Sequence, residues 1–138
     1  MKVFLDINIV LDFLLKRPSF DDEAMDIFKL LYKKEIDGYL SAVSYTQIGY
    51  YLQKYVGKPA AKEILRDLNK LFTTVTVDNR VLEEALDSAI KDFDDAVQYA
   101  SALSVSNLYC IITRDKKDFK SSQIIIQSPK EFINAFNH

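Results

Sequence analysis

Three aspartates stand where an apolar stretch meets a turn or a helix start. Asp6 follows Val3-Phe4-Leu5 directly, Asp95 lies in the first turn of a helical stretch, and Asp115 falls just past Tyr109–Thr113. Carboxylates gathered in one crevice repel, and their pKa values rise unless a positive charge joins them. A hard divalent cation supplies that charge, and oxygen ligands suit Mg²⁺ or Mn²⁺. Such an ion lowers the pKa of bound water and neutralises phosphate charge. Acids can thus build an anion-binding site, and Asp6, Asp95 and Asp115 are the expected metal ligands and catalytic residues. The blander reading is capping, since Asp is a common helix N-cap worth roughly 0.5–2 kcal/mol. It suits Asp92 and Asp94 best, and Asp118 reads as a surface or turn acid. Asp6 resists it, because it ends a buried-type strand.

Other chemistries lack their parts. The only cysteine, Cys110, sits among Leu108, Tyr109, Ile111 and Ile112 and reads as core. The only histidine is His138, the last residue. Cys–His and Ser–His nucleophile schemes are therefore not expected. One cysteine cannot form an internal disulfide, which fits a reducing cytoplasm. No apolar run approaches the ~18–20 residues of a membrane span, and Asp6 is an acid too early for a secretion signal. A cytoplasmic protein without a membrane partner is expected. The net charge of −2 gives no global pull toward nucleic acid. Polyanion binding would need a local basic patch or a metal.

The acids need elements to position them. Lys2–Ile7 reads as a buried strand, followed by a brief helix through Leu14 that Arg17-Pro18 ends. Ser19-Phe20-Asp21-Asp22 has the form of a capping box for a helix through Leu31. Tyr39–Ser41 is a short strand. Ser44-Tyr45-Thr46-Gln47 is a second capping-box candidate, opening a helix that Gly57 ends. A helix from Pro59 to Phe72, a β-branched strand at Thr73–Val77 and a helix capped by Asp78 follow. Asp92 caps the next helix. Tyr109–Thr113 and Ile124–Ile126 read as strands, and Ser128-Pro129 opens a final helix. Strands alternating with helices predict a parallel sheet covered on both faces. The functional crevice of such folds lies beyond the carboxyl ends of the strands, where Asp6 and Asp115 meet if their strands are neighbours. With 138 residues, three Gly, three Pro and no internal repeat, one domain spanning 1–138 is expected.

Three short stretches in order resemble the PIN domain family: Asp6-Ile7-Asn8, Asp95-Ala96-Val97-Gln98-Tyr99-Ala100, and Thr113-Arg114-Asp115-Lys116-Lys117-Asp118-Phe119. The closing Ser128-Pro129-Lys130-Glu131-Phe132 fits the same pattern, so the resemblance covers the chain. It implies an α/β fold, a three-layer α/β/α sandwich around a central parallel sheet. It also implies a Mg²⁺- or Mn²⁺-dependent ribonuclease that leaves a 5′-phosphate and a 3′-hydroxyl. The setting implied is a toxin–antitoxin pair, with RNA as substrate, an antitoxin protein as partner and a homodimer as the assembly. Asp6, Asp95 and Asp115 match the family's acids, and Asn8 and Thr113 match its supporting polar positions, with Thr113 bonded to Asp6 or to metal-bound water. Two positions depart. Ile7 replaces the usual Thr, and Gln47 stands where the family usually has a further acid. An amide can coordinate through oxygen but carries no charge and cannot act as a base. Gln47 could instead merely close the Ser44 capping box. The alternative function is accordingly a PIN fold that binds RNA or protein without cutting. Asp6-x-Asn8 also resembles, faintly, the haloacid dehalogenase opening, whose second Asp is missing here.

Arg114, Lys116, Lys117 and Lys120, beside Asp115, are the expected phosphodiester contacts. Lys62, Arg66 and Lys70 form a stripe on one helix, with Lys54 and Lys58 continuing the spacing. A solvated face paired to Glu63 and Asp67 is its plainer role, a phosphate track its sharper one. Tyr51 and Tyr55 share one helix side, where core or interface packing is expected over base stacking.

Overall fold

The computed structural model describes residues 1–119 and 122–137. Its elements are β1 (Lys2–Leu5), α1 (Ile7–Leu14), α2 (Asp21–Tyr32), β2 (Asp37–Ser41), α3 (Ala42–Val56) and α4 (Lys58–Leu71), followed by β3 (Thr73–Val75) and α5 (Asn79–Asp87). The chain continues through α6 (Phe93–Leu103), β4 (Leu108–Ile112), a 3₁₀ turn (Lys116–Phe119), β5 (Ile125–Gln127) and α7 (Pro129–Phe136).

The strands form one parallel sheet in the order β3-β2-β1-β4-β5. Alternation along β1 divides the core. Val3 and Leu5, with Cys110 and Ile112 of β4, pack in one cluster with buried residues of α1, α2, α3, α4 and α7. Phe4 and Ile111 point the other way, toward Ala102 of α6 and Val75. Helices therefore cover both faces, giving three α/β/α layers, and Val3–Leu5 of β1 and Cys110–Ile112 of β4 are apolar at every position because both faces are buried. Phe4 pairs in register with Ile111, and Leu5 with Ile112. This register brings the carboxyl ends of β1 and β4 side by side.

Several local expectations are corrected. The first strand stops at Leu5 rather than Ile7, because Asp6 takes extended backbone (φ −64°, ψ 143°) and its side chain accepts from the Asn8 N–H as the N-cap of α1. No capping box forms at Ser19. That residue has φ 74°, and α2 begins after Phe20 with no side-chain cap. Nor does Ser44 cap a helix. Ser41 caps α3, accepting from the Val43 N–H at 3.4 Å, and Ser44 lies buried inside the helix. In both β1–α1 and β2–α3 the strand's following or last polar residue turns the chain straight into a helix, so the cap arrives earlier than the sequence spacing suggests. β3 ends at Val75 rather than Val77, β4 ends at Ile112 rather than Thr113, and β5 spans Ile125–Gln127 rather than Ile124–Ile126, whereas the following caps are as expected. Gly57, with φ 82°, ends α3, Asp78 and Asp92 cap α5 and α6, and Ser128 with Glu131 forms a complete capping box on α7.

Candidate active site

Asp6 is the centre of the site. It is only 4% exposed. Its Oδ2 accepts from the Thr113 hydroxyl at 2.8 Å, and its Oδ1 accepts a longer bond, 3.5 Å, from the Asn8 N–H. Thr113, wholly buried just after β4, uses the same oxygen to accept from the Asp115 N–H at 3.1 Å. One hydroxyl thus ties the ends of the two central strands, its oxygen accepting from the Asp115 N–H while its proton is donated to Asp6. Gln98, one turn beyond Asp95 on α6, accepts from the Ile7 N–H at 3.1 Å and docks α6 against the start of α1. The N–H of Asp95 donates to its cap Asp92 at 3.0 Å, which holds the first turn of α6 at the sheet end.

These elements enclose a cleft of about 440 Å³. Asp6, Asp95 and Asp115 line it together with Asp92, Asp94 and Asp118. Asn8, Gln98, Thr46, Gln47, Tyr50 and Tyr51 complete the wall. A larger groove, about 1250 Å³, runs between β3 and α5–α6, but it does not contain this acid cluster.

The electrostatics follow from burial and crowding. Burial pushes the Asp95 carboxyl up, and the charges of Asp92, Asp6, Asp118 and Asp115 push it further, to about 7. Burial also raises Asp6, against the opposing hydrogen bonds from Thr113, Asn8 and Gln98. Three nearby cations are engaged elsewhere. Arg17 and Arg114 both pair with Asp12, and Lys116 pairs with Glu131 at 3.0 Å. Among the described residues, no Lys or Arg lines the cleft.

This donor set fits a hard divalent ion by chemistry, since it is oxygen-only, crowded and short of positive charge. Among the described residues, no three acids already stand at metal-ligand spacing.

Of the residues singled out from the sequence, Asp6, Asn8, Gln47, Asp95 and Asp115 share the cleft, and Thr113 lies beneath it. Gln47 closes no cap, so its position on the cleft wall is free of that explanation. Arg114 turns away to Asp12 and stacks over the Phe20 ring at 4.0 Å. Lys117 lines an adjoining cavity that shares Asp92, Asp95 and Asp118. Lys120 and His138 lie outside the described residues. Lys62, Arg66 and Lys70 are exposed on α4, with Arg66 paired to Glu63 at 3.4 Å. Asp118, in the 3₁₀ turn, is a turn acid as expected but also faces the cleft.

Four residues take places at or beside the site that the sequence did not assign to them. Asp12 is 1% exposed and holds two arginines, and its signal is an acid inside the apolar run Ile9–Leu14. Gln98 is signalled only by its helical spacing from Asp95. Tyr50 and Tyr51 are cleft residues rather than core.

Residues 2–117 match the family model of the PIN domain. The chain belongs to that family. Its fold is also that of several solved PIN-like structures. Over 93% of this chain and 98% of the other, it superposes on a chain of VapBC2 from Rickettsia felis bound to a promoter DNA fragment, with TM-score 0.70 and 16% identity. A toxin–antitoxin complex from Klebsiella pneumoniae matches with TM-score 0.66 and 21% identity, covering 92% of this chain and 97% of that one. VapBC-1 from nontypeable Haemophilus influenzae matches with TM-score 0.66 and 15% identity, covering 94% and 99%. At these identities the likeness is one of fold. A comparison with curated proteins finds no match. Within this PIN domain, the acid cleft occupies the carboxyl edge of the parallel sheet, where open α/β folds place their sites. Among the described residues, no helix is long and apolar enough to cross a membrane.

Proposed function

We propose that this PIN domain is a divalent-metal-dependent endoribonuclease. The observation that carries the reading is the convergence of Asp6, Asp95 and Asp115 on one cleft that no Lys or Arg lines among the described residues, with Asp95 raised to about 7. Asp6, Asp95 and Asp115 would hold Mg²⁺ or Mn²⁺, which supplies an activated water and neutralises charge on the scissile phosphate. Thr113 orients Asp6 by donating to Oδ2. Asn8 and Gln98 fix the α1 and α6 ends of the cleft. Lys117 is exposed beside it and can meet the RNA backbone, and Arg114 and Lys116 can do so only by leaving their present carboxylate partners. The biological setting is that of a toxin held by a protein antitoxin, acting as a homodimer in the cytoplasm. The toxin–antitoxin complexes among the structural neighbours support this setting.

Incubation of the purified chain with RNA, with Mg²⁺, with Mn²⁺ and with EDTA tests the reading. Cleavage is expected only with metal. The Asp6→Asn/Asp115→Asn double variant is expected to be inactive. Cleavage that survives EDTA or the double substitution would overturn the mechanism.

A second reading is favoured by one observation. Gln47 lines the cleft where a further acid usually stands in proteins of this pattern, and Ile7 offers no hydroxyl. The chain would then bind RNA or a protein partner without cutting. Metal titration that follows RNA binding and cleavage separately distinguishes the two, since efficient Mn²⁺-dependent turnover removes this reading.

A further inference from the structure

Arg17 is held one residue away from Asp6. Its Nη1 donates to Asp12 Oδ1 at 3.3 Å and to the Asn8 side-chain oxygen at 3.2 Å. Asn8 lines the acid cleft, and its N–H donates to Asp6 Oδ1. Six aspartates line that cleft, and among the described residues no Lys or Arg does. Among the described residues, Asp12 is the only acid paired with Arg17. Arg114 shares the Asp12 carboxylate but is secured more fully. It makes two bonds to it, at 2.9 and 3.3 Å, and stacks over the Phe20 ring. Loss of Asp12 would leave Arg114 its ring and leave Arg17 only Asn8, on the cleft wall.

Resting on the metal site of the nuclease reading, we propose that Asp12 is a positioning residue that keeps the cleft open to a divalent ion by holding Arg17 out of it. A guanidinium and a hard cation compete for the same carboxylate oxygens, and a guanidinium meets a carboxylate with two parallel N–H bonds. An untethered Arg17 would face a crowd of acids whose repulsion it relieves. This competitor belongs to the same chain, so its effective concentration at the cleft is high and does not fall on dilution. Asp12 supplies the countermeasure. Its carboxylate is 1% exposed, which shields its pairing from salt, and it lies on α1, the helix that Asp6 itself caps. The same helix thus carries the acid offered to the ion and the acid that satisfies the nearest arginine. Arg114 does not compete, because the Phe20 ring holds its guanidinium on the Asp12 side.

Calorimetric titration of the full-length chain with Mn²⁺ alone tests this without RNA. Asp12→Ala should weaken Mn²⁺ binding about fivefold or more, the upper worth of a solvent-accessible ion pair. Adding Arg17→Gln should restore the affinity, and adding Arg114→Gln should not. The two double variants carry the same net charge. Recovery with both would mean a through-space charge effect and overturns the proposal. Recovery with neither would mean that Asp12 only supports the fold, and overturns it too, as does an Asp12→Ala chain that binds Mn²⁺ normally. Should the single variant not fold, the double variants, each with one arginine fewer left unpaired, are compared directly. The one with Arg17→Gln should then bind Mn²⁺ more tightly by about fivefold or more, and equal affinities overturn the proposal. The two readings fail separately. The expected pattern in a chain that cuts no RNA overturns the nuclease and keeps the role of Asp12. Metal-dependent cutting by a chain whose Mn²⁺ affinity is indifferent to Asp12→Ala does the reverse. A wild type that binds no Mn²⁺ overturns both.

Discussion

The guanidinium of Arg114 lies across the buried carboxylate of Asp12, with Nε 2.9 Å from Oδ2 and Nη2 3.3 Å from Oδ1. Arg17 reaches the same carboxylate at 3.3 Å and also donates to the Asn8 side chain at 3.2 Å. Asp12 therefore joins α1, the α1–α2 loop and the segment that carries Asp115. It also keeps two cations off the cleft acids.

Asp12→Ala should cost about 2–4 kcal/mol in urea unfolding. Removing one side of a buried ion pair strands its partners, although both arginines retain partial exposure and can regain water. Asp12→Asn should cost less, because its amide oxygen still accepts from an arginine, although its NH2 cannot. Equal stability of the Ala variant and the wild type would show that the cluster does not hold these segments together.

Thr113→Val removes the hydroxyl shared by Asp6 and the Asp115 N–H while keeping the shape. A loss of about 1–3 kcal/mol is expected, from leaving buried groups unpaired. Metal affinity should fall with it, because Asp6 loses its orienting donor. Thr113→Ser should restore both. Unfolding curves and calorimetric Mn²⁺ titration read the two effects.

Asp95 gives the metal-free protein an unusual pH dependence. Its folded pKa, about 7, exceeds the ordinary 3.8. Between those values the folded state holds a proton that the unfolded state has lost. The stability contribution of this group therefore falls as pH rises from about 4 to about 7, and stays low above. A fully buried shift of this size would correspond to about 4 kcal/mol, and the half-buried setting reduces it to the order of 1 kcal/mol. Asp95→Asn should thus stabilise the metal-free chain at pH 8 and change little near pH 4. Thermal melts in EDTA across this range check it, and a variant that is less stable at pH 8 contradicts it.

Gln47→Glu adds a further carboxylate to a cleft already short of cations. The metal-free variant should be less stable at neutral pH, and it should gain more from Mn²⁺ than the wild type. Saturation at a hundredfold excess over the dissociation constant stabilises by about 2.7 kcal/mol. Melting temperatures with and without metal measure the difference. An unchanged metal response would place position 47 outside the ion's reach.

Much of this was legible in one dimension. Alternating apolar strands and amphipathic helices determined the three layers, because a strand buried on both faces must be apolar at every position. The acids closing β1 and following β4 stood out because charge after such a run is costly without a partner. Short-range capping was less readable at Ser19 and Ser44, since several polar residues near a helix start satisfy the same pattern and only backbone geometry selects one. Contacts across the fold were not readable. The sequence alone marked the acids beside the ends of β1 and β4 and the order of strands and helices. Only the tertiary structure decided that Arg114 belongs to Asp12 rather than to a phosphate, that Thr113 serves Asp6 and Asp115 at once, and that Tyr50 and Tyr51 open onto the cleft. The reason is that a side chain's partner is chosen by register and packing between elements far apart in the chain, and no local spacing records that choice.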